Sequence, residues 1–353
     1  MVETTATMRG SLSRRPVAKL VTAVAAAAGV ALVVAGCSTP APEPTPGDDG
    51  ATVETVRYIN NAAQPLVGLA GEEQGIFAAN NVKVEFTELG TGTEAIAALI
   101  GGSADFVTGA DARLIQAASQ ELPVVAIGIH NTGFLGSLIV DVNNTTISSM
   151  EDMVGKKLGI QVGSGIHNGW LRYIDAIGLS ESDFEVVNLK VPDMPAAISA
   201  GSIDAAITWQ PYTSRAASEG LTKTVMTPDK IAGPAGIVYP FYLLTSQSVI
   251  DSRPEAVQQF VQAWVCTQKW IDENPTDAVG ILAPAMEGLE QSSVQATFDE
   301  QSYVAHQTLD DAIRTDTKNQ AQALVNAGAI PSIPDLDPHM NTTFVDAALA
   351  KGC

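Results

Sequence analysis

Two stretches of the chain carry nearly the same text: "AALIGGSADFVTGAD", Ala97 to Asp111, and "AAISAGSIDAAITWQPY", Ala196 to Tyr212. In each, two alanines and an aliphatic residue lead into Gly-Ser-x-Asp and a short apolar run, and the two starts lie 99 positions apart. The pattern predicts a helix that stops on Gly102 or Gly201, since glycine accepts the left-handed conformation of a helix C-cap. A buried strand should follow over residues 105–108 or 204–208, with Asp105 or Asp204 opening it at the sheet's edge, its carboxylate solvated. One such unit serves one sheet, so two copies predict two similar α/β lobes. Ligands of open parallel sheets sit beyond the carboxyl ends of the strands, which places "TGADA" and "TWQPY" on opposite sides of a cleft.

The neighbouring text supports this reading. "TVRYINN" and "VKVEFTEL" alternate as strands, and "PLVGLAGEEQGIF" has the spacing of a short helix ending at Gly75. "GTEAIAALIGG" reads as a helix with Thr93 as its N-cap. Further strands are expected in "LPVVAIGIH", "FLGSLIVD" and "FEVVNL", a helix in "SGIHNGWLRYIDAIG", and a capped helix running into a strand in "SSMEDMVGKKLGIQVG". The alternation implies mostly parallel sheets flanked by helices. The expected division is 53–140 with 240–353 for lobe 1 and 141–239 for lobe 2.

At 353 residues, 46% hydrophobic and 16% charged, the chain has material for two cores and is not disordered in composition. Its first residues read as a processing signal. Arg9, Arg14, Arg15 and Lys19 precede an Ala/Val-rich run from Leu20 to Ala35, and "VAGC" places small residues before Cys37. This order resembles a bacterial lipoprotein signal over 1–36, with Cys37 as the lipidated residue. Sixteen apolar residues fall short of the roughly 20 that span a bilayer. "SRRPVAK", Ser13 to Lys19, resembles a twin-arginine export signal, and the Sec route stays open. Residues 37–52 are Pro-rich and acidic, as in an extended tether. Without 1–36 the chain has 15 basic against 38 acidic residues, net −23, a field that disfavours nucleic acid as a partner. Cys266 and Cys353 then remain, either as one disulfide or as two unpaired thiols.

Several stretches in this order and spacing resemble the periplasmic-type solute-binding proteins of ABC importers, in the branch for nitrate, sulfonate, taurine and thiamine-pyrimidine-precursor ligands. They are "GLAGEEQGIFAANNVKVEF", "AIAALIGGSADFVTGADA", "ISSMEDMVGKKLGIQVGSGIHNGWLRYIDAIGLSESDFEVVNL", "AAISAGSIDAAITWQPY" and "PEAVQQFVQAWVCTQKWIDENPTDAVGIL". The resemblance implies a two-lobe type II binding-protein fold, a monomer that hands a small solute to a permease and ATPase, and no cofactor. It places the ligand loops at Asn60, Asn61 and Gln64, at Thr91 and Thr93, at Gly109 to Asp111, and at His130 and Asn131. The remaining loops fall at Gly163, Ser164, Gly165 and His167, and at Trp209, Gln210 and Tyr212.

The residues themselves allow more than one reading at each place. "GSG" before "IHNGW" is an ordinary strand-to-helix turn or a set of free amides suited to an anion. Asp111 caps the helix "ARLIQAAS", pairs with Arg113, or meets a ligand amine. Trp209 is core or a flat cleft wall, and Tyr239, Phe241 and Tyr242, in the segment crossing back to lobe 1, are core or wall. No Lys or Arg lies within these loops, Arg113 being the nearest, so a neutral or amine-bearing ligand fits at least as well as an anion. His130, His167, His306 and His339 show no metal spacing, and no nucleophile motif is present. A binding protein is therefore expected, with a ligand sensor, or an enzyme acting on a pyrimidine or sulfonate, as alternatives.

Overall fold

The structure, a computed structural model, describes residues 45–46, 52–61, 64–89, 92–286 and 289–353. Among these, eleven strands form two sheets. The first contains β1 (Thr45–Pro46), β2 (Thr52–Asn61), β3 (Val82–Leu89), β4 (Phe106–Ala110), β5 (Val124–Asn131) and β11 (Phe241–Ser246). The second contains β6 (Ser137–Asp141), β7 (Lys157–Ile160), β8 (Glu185–Asn188), β9 (Ala205–Thr208) and β10 (Thr222–Met226). The chain thus enters the second sheet between β5 and β6 and returns between β10 and β11. The sequence placed the first crossing at 140, but β6 already pairs with β9 from Ser137 onward.

Both sheets are mixed rather than mostly parallel. β4 runs parallel to β2 and antiparallel to β11, and β9 runs parallel to β7 and antiparallel to β6. The antiparallel neighbours are the strands by which the chain leaves or re-enters a lobe, so they do not follow the helical crossovers that keep neighbouring strands parallel.

Alternation along each buried strand feeds two cores. In the first sheet Phe106, Val125, Ile127 and Leu243 face the helix Pro254–Glu273, with its Phe260 and Trp264. Val107, Ala126, Tyr242 and Leu244 face the other way, toward Leu99, Leu114, Ile115 and Ile313. This period of two with helices on both sides explains why these strands read as continuous apolar runs. In the second sheet Leu138, Val140 and Ile207 meet Trp170 and Ile174 of the helix Gly165–Ala176, while Ile139 and Ala206 meet Met194 and Ile198. A disulfide joins Cys266 to Cys353, tying the helix Thr343–Lys351 to the 254–273 helix.

Three local expectations need correction. Asp105 is 1% exposed, not solvated, because the Arg57 and Arg253 guanidinium groups cover it; its carboxylate accepts from the Arg57 amide at 2.8 Å and pairs with the Arg57 guanidinium at 2.7 Å. The helix Gly92–Ile100 begins before Thr93, so Thr93 sits in its first turn and is not its N-cap. The helix expected in "SSMEDMVGKK" is a single 3-10 turn, Glu151–Met153, with Gly155 at a φ of 74° cutting it short.

Candidate functional site

A cavity of about 300 Å³ lies between the two sheets' lobes, and the ends of both repeated units line it. From the first lobe come Gln64, Gly109, Ala110, Ala112, Arg113 and Gln116; from the second, residues 161–166, Trp209 and Gln210. Tyr239 and Phe241 enter from the returning segment, and Thr297, Glu300 and Gln301 from the C-terminal part.

The helix Gly165–Ala176 starts at this cavity. Gly163, at a φ of 79°, turns the chain, and Ser164 caps the helix by accepting from the His167 amide at 3.1 Å. The Gly163 amide donates to His167 Nδ1 at 3.3 Å, and the Val162 amide to Asn188 at 3.1 Å. That leaves the Gly165 and Ile166 amides without an acceptor among the described residues. Two free N–H groups on the positive end of a helix dipole attract an oxyanion. A side chain at Gly165 would have to displace Tyr239, because a Cβ there would lie 2.3 Å from the Tyr239 hydroxyl.

Arg113 is the lining residue whose placement changes the reading. It is the one cation among the described lining residues. Its Nη1 donates to Gln116 at 2.9 Å, one turn along the same helix face, and its other guanidinium donors remain available. Asp111 begins the same helix, Asp111–Ser119, but about 200° around it from Arg113, on the face of Leu114, Ile115 and Ala118. The Asp111 carboxylate is therefore fully buried and off the cavity lining, accepting from the Ala112 amide at 2.6 Å. Burial, reinforced by Asp316, pushes it up to about 7. It neither caps the helix, whose N-cap is Ala110, nor pairs with Arg113.

Eight of the residues expected at the ligand line the cavity: Gln64, Gly109, Gly163, Ser164, Gly165, Trp209, Gln210 and Tyr239. Asn60, Asp111, His130, Asn131, His167 and Tyr212 are not among its lining residues. Asn60 accepts from the Tyr58 hydroxyl at 3.3 Å, and Asn131 donates to Gln301 at 3.1 Å. His130 is enclosed by Trp264, Tyr303 and Phe241, and burial drives it down to about 3, so it is neutral. His167 is also held below its ordinary value by burial, against the opposing pull of Glu181. Tyr212 opens the helix Tyr212–Ser218 and packs beside Met194 and Ile198. Asn61 ends β2, and nothing is described of its side chain or that of Thr93; Thr91 and Cys37 lie outside the described residues.

The lining residues that sequence reasoning missed are Ala112, Arg113, Gln116, Leu135, Gln161, Val162, Thr297, Glu300 and Gln301; Phe241, core or wall by its sequence, is wall. Helical phasing could have found Arg113 and Gln116. Glu300 and Gln301 follow the helix Gln291–Asp299 and carry no local signal. They reach the cavity because Ser302 and Thr132 exchange backbone hydrogen bonds of 2.9 and 2.8 Å, and because Gly133 lets the Glu300 carbonyl approach to where a Cβ would sit only 2.3 Å away. Gln210 Nε2 donates to Glu300 Oε1 at 3.3 Å, a hydrogen bond across the cleft. Burial pushes the Glu300 carboxyl up to about 7, with the Gln210 hydrogen bond opposing.

Two α/β lobes, crossed twice by the chain and enclosing one lined cleft, define a periplasmic-binding-protein architecture. The chain belongs to the NMT1/THI5-like family, whose model matches residues 65–278. It is 24% identical to the taurine-binding periplasmic protein of Escherichia coli over 302 residues, 82% of this chain and 92% of that one. Its fold matches the crystal structure of the periplasmic aliphatic sulphonate binding protein of Escherichia coli with a TM-score of 0.71 at 20% identity, covering 82% of this chain and 92% of the other. It also matches a desulfurization enzyme with a TM-score of 0.66 at 15% identity, over 84% of this chain and 99% of that one.

Proposed function

We propose that the protein is the extracytoplasmic solute receptor of an ABC importer, held to the membrane by lipid on Cys37, and that it captures a sulfonate between its lobes for delivery to a permease and ATPase. One observation carries the ligand class: Arg113 and the two residues with free amides, Gly165 and Ile166, line the same cavity. A sulfonate presents three acceptor oxygens, and these donors come from both lobes, so the anion gains contacts in the closed form that neither lobe supplies alone. The taurine- and sulfonate-binding relatives support the same class. The anchor rests on "VAGC" ahead of Cys37.

The desulfurization enzyme with this fold raises a catalytic alternative, which the cavity chemistry disfavours. Of the chain's three cysteines, Cys266 and Cys353 are joined to each other away from the cavity, and Cys37 is the proposed lipid site. The ionisable lining groups are Arg113, Glu300 and Tyr239, with no nucleophile beside a base. A thermal-shift panel on residues 52–353 with alkanesulfonates, nitrate and pyrimidines tests the reading. A true ligand at 100 times its dissociation constant adds about 2.7 kcal/mol of stability. A shift with pyrimidines and none with sulfonates would remove the sulfonate assignment.

A further inference from the structure

Resting on the solute-receptor reading and not on the choice of solute, we infer that Asp316, outside the cavity, is a positioning residue for capture. Its one carboxylate ties the second lobe's helix Gly165–Ala176 to the segment on which the chain returns to the first lobe, and so holds the lobes together over the solute. The residues that line the cavity supply the contacts. Asp316 and its partner Arg172 bring those contacts face to face.

The helix Asp311–Asn326 carries Asp316, and its Ile313, Ala321 and Leu324 belong to the first lobe's core. The Thr317 hydroxyl, next to Asp316, meets the Tyr242 hydroxyl of β11, which fixes this turn of the helix to the first sheet. Asp316 is 1% exposed, and its carboxylate accepts from three donors: Arg172 Nη2 at 2.6 Å, the Val238 amide at 3.2 Å and the Tyr239 amide at 3.1 Å. Arg172 comes from the second lobe, about 10 Å further along its helix than Gly165. Val238 and Tyr239 belong to the returning segment, and the Val238 carbonyl accepts from the Gly133 amide of the outgoing one at 3.0 Å. A carboxylate held by a guanidinium and two amides is a directional tie, since each hydrogen bond is charge-assisted and burial spares it from screening.

Both arms of the tie lead to the cavity. Tyr239 has a left-handed backbone, with a φ of 55°, which a residue other than glycine keeps only where its surroundings hold it, and the Asp316 carboxylate holds its amide. Tyr239 lines the cavity, with its hydroxyl close to Gly165. Arg172 holds the helix whose first two residues, Gly165 and Ile166, line the same cavity. A groove of about 460 Å³ lies between the 165–176 and 311–326 helices, with Leu171, Asp175, Asn319 and Gln322 in its wall. It interrupts the packing of the two helices and leaves more of the tie to the ion pair. Asp111 also feels Arg172, but burial and Asp316 push its carboxyl up to about 7, so below that pH it keeps its proton and leaves the guanidinium to Asp316.

The test is small-angle scattering and calorimetry of the full mature chain and of Asp316→Asn, Arg172→Met and the two combined. Without ligand, each variant should scatter as a more open molecule, with a larger radius of gyration than the wild type. Profiles no more open than the wild type's, in every variant that folds, overturn the inference whatever the binding shows. With ethanesulfonate, butanesulfonate or taurine as the probe, each single variant should bind about tenfold more weakly, as a tenfold smaller closed fraction requires, and the double variant no more weakly than either. Unchanged affinity for a probe that the wild type binds overturns the inference, and so do losses that add, since the two residues would then act separately. A wild type that binds none of the three removes the sulfonate assignment, and the ligand-free scattering then decides the tie alone. Arg172→Met leaves Asp316 its two amides, so it serves if Asp316→Asn does not fold.

Discussion

The two copies of the Gly-Ser-x-Asp unit sit in matched places and differ in what surrounds them. In both, the aspartate grips the parallel neighbour strand twice. Asp105 donates its amide to the Arg57 carbonyl at 2.9 Å and accepts the Arg57 amide at 2.8 Å; Asp204 does the same with Lys157, at 2.9 and 2.8 Å. Around Asp105, however, the Arg57 and Arg253 guanidinium groups close in, at 2.7 and 3.5 Å, and seal it from water. Asp204 stays exposed with its backbone partner alone. The repeat therefore encodes a backbone clamp that registers one strand against the next. Whether the clamp also becomes a buried ion pair depends on helices and strands elsewhere. The far ends diverge as well, the first leading to Arg113 and the second to Trp209, so one lobe supplies charge and the other a flat apolar face.

Several experiments bear on this contrast. The largest effect should come from reducing Cys266–Cys353, which closes a loop with a sequence separation of 87 on the first lobe. A loop of that length predicts a loss of about 4 to 5 kcal/mol. Hydrogen exchange should then accelerate in β4 before β9; equal acceleration would show that the lobes open as one unit. Next, Asp105→Ala strands two arginines and should cost on the order of 3 kcal/mol in chemical denaturation, against about 1 kcal/mol or less for Asp204→Ala. Equal costs would mean that the backbone clamp alone matters. The remaining effects concern binding. Arg113→Ala should weaken a sulfonate by about 2 to 3 kcal/mol, and Trp209→Ala by about 1 to 2 kcal/mol, in calorimetry. A larger loss at Trp209 would reverse the assignment of charge to the first lobe.

Much of the fold was legible because its signals are local. Alternation in "VKVEFTEL" and the glycine stops at Gly102 and Gly201 are decided within a few residues, and the structure has β3 and both stops where expected. The site was legible as loops but not as side chains. Asp111 falls in a ligand loop of the family pattern, yet it lies on the apolar face of its helix, two residues from the arginine that lines the cavity. His130 and His167 stand at loop positions of the family pattern, but neither lines the cavity, and burial lowers the pKa of both.

By itself the sequence determined that there are two lobes, where many of their strands fall, and which ends face each other, because backbone conformation follows largely from neighbours a few positions away. Only the tertiary structure decided which charges meet in the cleft. Arg113 and Glu300 are 187 positions apart, and nothing near Glu300 marks it for the wall that Arg113 lines. The bridge at Thr132 and Ser302 and the phase of the 111–119 helix bring them there, and both depend on how distant segments pack.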